Sequence, residues 1–177
     1  MARAPLGHHT HWTSPSHARP TGGDPAEQVR REGAWLREHG LEPTLFCGGG
    51  WYMDASVAEA LAELGYADCT ATAFRPGYLA PAAARLSARE PTWLRLASGA
   101  RLLELPSTHS LGMAARAVLG SLPPYVHVYF HDTDLLVPAR RRALSVALSV
   151  LGRRRRPAEL DRLSASAEVD LSEASRT

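Results

Sequence analysis

The stretch HHTHWTSPSHARP, residues 8 to 20, holds four of the chain's eight histidines: His8, His9, His11 and His17. On a strand, residues two apart point to the same side. His9 and His11 can therefore offer two imidazoles to one divalent ion, with nitrogen–metal distances of about 2.0–2.1 Å for zinc. The same spacing also fits a polar surface strand.

Three other stretches place chemically capable side chains at the end of a strand. YFHDTDL, residues 129 to 135, delivers His131 and Asp132. A histidine there can donate a proton to a leaving group or stabilise an oxyanion. Asp132 or Asp134 could orient its ring, although Asp134 also suits a helix cap. LFCGGGWYMD brings Cys47 to Gly48, Gly49 and Gly50, where the backbone can approach a ligand or turn tightly. It lacks the Gly-Lys-Ser/Thr of a phosphate loop and the spacing of a dinucleotide fingerprint. LPSTHSLGM puts His109 between a strand and a helix, with Ser107 or Thr108 available as a cap. Arg75 in FRPGY could meet an anion or sit in a plain loop. No Ser-His-Asp or Cys-His signature is visible, so covalent catalysis has no support.

The elements that must position these residues alternate. DPAEQVRREGAWLREHG reads as a helix, with Asp24 as N-cap, Pro25 at the first position and Glu27 closing a capping box. Val29, Ala34, Trp35 and Leu36 form its expected apolar stripe, and Gly40 its stop. PTLFC is a short strand, DASVAEALAELG a helix capped by Asp54, and YADCTATAF another strand. Residues 75 to 101 read as a long connection with a helical turn or two. RLLELP is a strand and SLGMAARAVLGSL a helix. YVHVYFH is the clearest strand, leading into the helix VPARRRALSVALSVLG and Arg153 to Arg156. From Ala165 onward the Ser, Ala and Glu content predicts a frayed or disordered tail, residues 165–177. This alternation indicates an α/β protein with a mostly parallel sheet, either doubly wound or a barrel. In a barrel the candidate residues would gather at the C-terminal ends of the strands.

At 177 residues the chain can bury a core. It has no run of about 18 apolar residues and no secretory leader, so a cytoplasmic protein is expected. All 20 basic residues are arginine, and lysine, isoleucine and asparagine are absent. A GC-rich coding bias explains this, so the net charge of +2 does not point to nucleic acid. Cys47 and Cys69 read as two reduced thiols rather than a disulfide framework.

These pieces, in this order, resemble the polysaccharide deacetylase family with its NodB homology domain, over about residues 5 to 160. The resemblance implies a partial (β/α) barrel of the deformed TIM-like type over residues 1–164, and a divalent metal, zinc by ligand type. It implies an N-acylated carbohydrate as substrate and hydrolysis of its C–N amide bond. HTHWT is similar to the family's H-S/T-x-x-H motif, with His9 as first ligand. The second position falls on Thr13, so His11 or His17 would substitute. LFCGGGWY stands where the family has an Arg-Pro-Pro-Gly-like turn along the cleft, with Cys47 in place of the arginine. On this basis Cys47, Gly48, Gly49 and Trp51, with His109, would line the substrate site. VYFHDTDL is similar to the late Leu-His-Asp motif and makes His131 the counterpart of the general acid, followed by Asp132.

The family's opening Thr-Phe-Asp-Asp-Gly strand, with its base and one metal ligand, has no counterpart in residues 1 to 7, MARAPLG. The expectation is therefore a domain lacking its first strands, with weak metal binding and little turnover. A glycan- or partner-binding remnant without catalysis is one alternative. Another is an amidohydrolase or PHP-type hydrolase, whose barrel also opens on His-x-His. Nucleic-acid binding through Arg140 to Arg142 and Arg153 to Arg156 is a third, less favoured because such clusters are usually solvated faces.

Overall fold

The computed structural model describes residues 5–12, 20–74, 85–117 and 119–174. His17 and Arg75 lie outside the described residues. The chain divides into two compact units, Met1–Pro106 with Glu159–Thr177, and Ser107–Ala158.

The first unit is built on β1 (Gly7–Thr10), α1 (Pro25–Glu38), β2 (Leu45–Gly48), α2 (Ala55–Glu63), β3 (Ala67–Asp68), β4 (Thr92–Arg95) and β5 (Arg101–Glu104). In the second lie β6 (His109–Ser110), α3 (Leu111–Ala117), β7 (Val128–Tyr129), α4 (Asp132–Leu136) and α5 (Pro138–Arg154). The chain then returns to the first unit with β8 (Ala167–Asp170) and α6 (Leu171–Ala174). The first unit is thus mixed α/β on a mostly parallel six-stranded sheet in the order β1-β2-β3-β5-β4-β8. Only the β4–β5 pair is antiparallel.

Local chemistry accounts for the helices. Asp24 Oδ1 accepts the amides of Ala26 and Glu27, and Pro25 begins α1. Asp54 Oδ1 accepts the Val57 amide at the start of α2. Capping of this kind contributes about 1 kcal/mol per helix. The buried face of α1 is Ala26, Val29 and Gly33. Trp35, expected in that stripe, is exposed and stacks on His39 with ring centroids 4.1 Å apart. The reason is steric: at Gly33 an added Cβ would lie 3.0 Å from Tyr66 Oη and 3.1 Å from Leu64 Cδ1. The helix therefore turns its glycine, not its tryptophan, toward Leu64 and Tyr66.

The sheet's register sorts its side chains. His8 pairs with Phe46, Phe46 with Asp68, and Asp68 with Glu104, so these four form one row on one face. That face buries Phe46, Val57, Leu61, Leu94 and Leu102 in a core with Val29 and Trp12. Each large aliphatic or aromatic side chain there stabilises the fold by about 1.5–3 kcal/mol. On the opposite face Leu45, Cys69 and Leu105 pack with Leu160 and Leu163.

Three sequence expectations are corrected. Residues 92 to 95 are a strand, not part of a long connection: TWLR pairs antiparallel with RLLE, and Gly99 at φ 86° makes the turn between them. The tail expected to be disordered contains β8, which pairs with β4 and holds Arg95 through Glu168 at 2.6 Å. YVHVYFH yields only the two-residue β7. Just before it, His127 is tied to β6 and the residue ahead of it: its amide donates to Thr108 Oγ1 (2.8 Å), and its carbonyl accepts the Thr108 and His109 amides (3.0 Å each).

Candidate functional site

In the first unit, β1 alternates. His8 and Thr10 turn into the core, while His9 and His11 stay exposed. His8 Nε2 lies 3.0 Å from Glu32 Oε2, and Thr10 Oγ1 donates to the same oxygen at 2.8 Å. Burial alone would raise the Glu32 carboxyl. Hydrogen bonds from His8, Gln28 and Thr10 outweigh that and hold it below its ordinary value. His8 is therefore a structural residue that fastens β1 to α1.

The His9 and His11 rings lie edge to face, with centroids 4.9 Å apart. His9 Nδ1 is 2.8 Å from the Cys47 carbonyl oxygen. A carbonyl only accepts, so Nδ1 carries the proton, and in the neutral ring the lone pair belongs to Nε2. A backbone carbonyl on one ring nitrogen, fixing the tautomer at the other, is the usual support of a metal-ligating histidine.

The strand end and the glycine turn are knit together. Trp12 Nε1 donates to the Gly49 carbonyl at 2.8 Å, and the Trp12 and Tyr52 rings meet edge to face at 5.2 Å. The Gly48 amide donates to Thr70 Oγ1 at 2.8 Å. Glycine is required at 48 because a Cβ there would lie 2.5 Å from the Tyr52 carbonyl oxygen. Gly50 and Trp51 then take left-handed φ values of 60° and 63°. For a tryptophan this conformation costs about 1–2 kcal/mol, offset here by burial of its ring, which meets Phe74 at 6.1 Å between centroids.

Cys47 is half-buried. Burial first, then the neighbouring Asp68 and Glu104 carboxyls, push its thiol well above its ordinary value, so in the metal-free protein it stays protonated. Among the described residues no three His, Cys, Asp or Glu side chains converge as a metal site. The neighbouring His9 and His11 rings are two imidazoles and fall short of such a group.

The second unit holds His109, His131 and Asp132. Burial holds His109 below its ordinary value, and its Nδ1 is 2.9 Å from Thr108 Oγ1. The helix that follows is capped by Ser110 Oγ, which accepts the Met113 amide at 3.3 Å, rather than by Ser107 or Thr108. His131 precedes α4, and its amide donates to Asp134 Oδ2 at 3.0 Å. Asp134 thus acts as a cap, and it also pairs with Arg140 at 2.7 Å. The His131 amide first, then Arg140, hold the Asp134 carboxyl below its ordinary value. Asp132 Oδ1 accepts the Thr133 amide at 2.8 Å. His131 and Tyr129 border a cavity of about 470 Å³ with Ser110, Leu111, Asp134 and Arg140.

The sequence-derived residues therefore fall into two groups: His9, His11, Cys47, Gly48, Gly49 and Trp51 in the first unit, and His109, His131 and Asp132 in the second. Sequence reasoning passed over Trp12, Thr70, Asp68 and Glu104. For Trp12 a signal existed, since HTHW places an amphipathic ring with one N–H directly after the strand. Comparison with known proteins adds no assignment: no family model, curated protein or solved structure matches the chain. No helix among the described residues is long and apolar enough to cross a membrane.

Proposed function

We propose that the chain is a polysaccharide deacetylase-like domain, a partial (β/α) barrel directed at the C–N amide bond of an N-acylated carbohydrate. His9 and His11 hold a divalent ion, zinc by donor type. One observation carries this reading: the HTHW strand end and the CGGGW turn, far apart in sequence, meet through His9 Nδ1 and the Cys47 carbonyl beside a second imidazole.

A bound ion would polarise the acyl carbonyl and acidify a water. The chain's own contribution at this end is positional: His9 is fixed in one tautomer, and the turn from Cys47 to Trp51 shapes the surface beside it. His131, in the second unit, has only the role the resemblance gives it, that of a proton donor. Two imidazoles leave most of the ion's positions to water, so binding is weak and turnover low.

The test is titration of the protein with Zn²⁺ by calorimetry, alongside acetate release from an N-acetylglucosamine oligomer. Weak, His9- and His11-dependent binding with slow acetate release is expected. Zn²⁺ binding that persists when both histidines are replaced, or no Zn²⁺ binding at all, overturns the reading. Oligomer binding without acetate release would replace hydrolysis by glycan binding.

A further inference from the structure

Asp68 and Glu104 are register partners on neighbouring parallel strands, on the same face, and both are fully buried. Unpaired buried carboxylates are among the costliest groups a core can hold, so their oxygens need an account. Asp68 Oδ1 accepts the Thr70 hydroxyl at 2.6 Å and the Thr70 amide at 3.1 Å. Glu104 Oε1 accepts the Ala71 amide at 3.1 Å. One oxygen of each carboxyl, Asp68 Oδ2 and Glu104 Oε2, has no N–H or O–H partner. The two carboxyls lie within hydrogen-bond reach of each other, and a proton shared between them would give these oxygens a partner. Burial, then the Asp68 charge and hydrogen bond, push Glu104 well above its ordinary range, and burial raises Asp68 as well. With one proton between them the pair carries a single negative charge.

That charge sits at the end of a continuous chain. The Thr70 hydroxyl that donates to Asp68 also accepts the Gly48 amide. The Gly48 amide and the Cys47 carbonyl belong to one peptide group, and that carbonyl accepts His9 Nδ1–H. Every donor points the same way, toward Asp68. In such head-to-tail chains each bond polarises the next.

We propose that Thr70, Asp68 and Glu104 are positioning residues for His9: the chain from its imidazole through the Cys47–Gly48 peptide and the Thr70 hydroxyl to the carboxyl pair locks it in the Nδ1–H tautomer. The effect is that of a carboxylate–histidine pair, with a peptide and a hydroxyl inserted between the partners. Its use in holding an ion rests on the metal reading above, but the tautomer lock does not.

The experiment is long-range ¹H–¹⁵N correlation of the imidazole nitrogens in the ¹⁵N-labelled full chain, at neutral pH and without metal. Wild type should show His9 as the Nδ1–H tautomer. Thr70→Val removes the hydroxyl and Asp68→Asn removes the charge, and both should give mixed tautomers. Thr70→Ser and Glu104→Gln preserve the donors and the Asp68 charge and should keep the wild-type signal. An Nε2–H tautomer in wild type, or an unchanged His9 in Thr70→Val and Asp68→Asn, overturns the proposal. If those two variants do not fold, a shift to mixed tautomers in Thr70→Ser and Glu104→Gln overturns it instead. Adding Zn²⁺ separates the two readings: Thr70→Val should bind roughly 10–100-fold more weakly than wild type. Tautomer changes in a wild-type protein that binds no Zn²⁺ would leave the lock standing and remove the metal site.

Discussion

Trp12 donates its indole N–H to the Gly49 carbonyl across 2.8 Å, tying the end of β1 to the glycine turn after β2. The ring is 1% exposed, so it is both a core residue and the clasp of the candidate site. Trp12→Phe keeps an aromatic ring but leaves that carbonyl without its donor. The lost bond costs about 1 kcal/mol and the smaller ring about 1–3 more. A chain of this size should then melt lower by about 2–4 °C per kcal/mol. Calorimetric melting of the variant checks this, and an unchanged Tm would show that the clasp carries no energy.

Gly48 lies where the chain doubles back on itself. An alanine Cβ would stand 2.5 Å from the Tyr52 carbonyl oxygen and 3.4 Å from Thr70 Cγ2. The obstacle is backbone, which cannot swing away as a side-chain end would. Gly48→Ala should destabilise the fold by about 1–3 kcal/mol, read as a lower urea midpoint with an unchanged slope. A neutral result would mean that the turn relaxes freely.

Which parts of this arrangement the sequence discloses depends on the range of the forces involved. Asp24 and Asp54 are legible because a cap acts on amides two or three residues away. His9 and His11 are legible as a pair because strand alternation is local. β8 is not: AEVD has little strand character, and what orders it is β4, with Glu168 between Arg95 and Arg101. Trp35 misleads because helical spacing cannot reveal that Gly33 is needed for close approach to Tyr66. The Asp68–Glu104 pair is invisible for a different reason. Neither carboxyl is unusual in its own segment, and the pairing exists only once β3 and β5 are in register.

That pair sets a pH dependence with a definite sign. Burial raises both carboxyls above their unfolded values, Glu104 the more. A group raised on folding contributes stability that is complete below its unfolded pKa and is lost as pH rises through the folded one. The groups around the pair do not reverse this. Thr70 and the Ala71 amide are neutral donors, and the Cys47 and Cys69 thiols are themselves pushed up by burial and by these carboxyls. Wild type should thus lose stability as pH rises from the ordinary carboxylate range toward alkaline values, and Glu104→Gln should flatten the loss. Urea midpoints across that range decide it; parallel profiles would mean that no proton is shared.

The arginines at the end of α5 have backbone partners rather than a free face. Arg154 Nη2 donates to the Gly120 carbonyl at 2.6 Å, and Arg155 Nε donates to the Pro123 carbonyl at 3.0 Å. Arg155 Nη2 also reaches the Leu122 carbonyl. Arg155→Ala should destabilise the second unit by about 1–2 kcal/mol, since hydrogen bonds from a charged donor are lost and solvent replaces them in part. Binding to a DNA duplex at low salt should be weak in wild type and little altered in the variant. Tight binding with a steep salt slope would reassign these residues to nucleic acid.

The last prediction concerns the imidazole pair. His9 and His11 sit on an exposed strand end with rings 4.9 Å apart. The Nδ1 of His9 is held by a carbonyl of the neighbouring strand. If both ligate one ion, replacing either should abolish measurable Zn²⁺ binding, because one imidazole with water offers no chelation. The two variants should nevertheless differ in stability. His9→Ala frees the Cys47 carbonyl and cuts the tie between β1 and β2, at a cost of about 0.5–1.5 kcal/mol. His11→Ala lies beyond β1, and its exposed ring should cost less than about 0.5 kcal/mol. Equal loss of Zn²⁺ with unequal loss of stability therefore identifies a two-histidine site in which one ligand is also structural. If His11→Ala binds Zn²⁺ as wild type does, His9 must take its second ligand from elsewhere in the chain, and the His9–His11 pair is not the site.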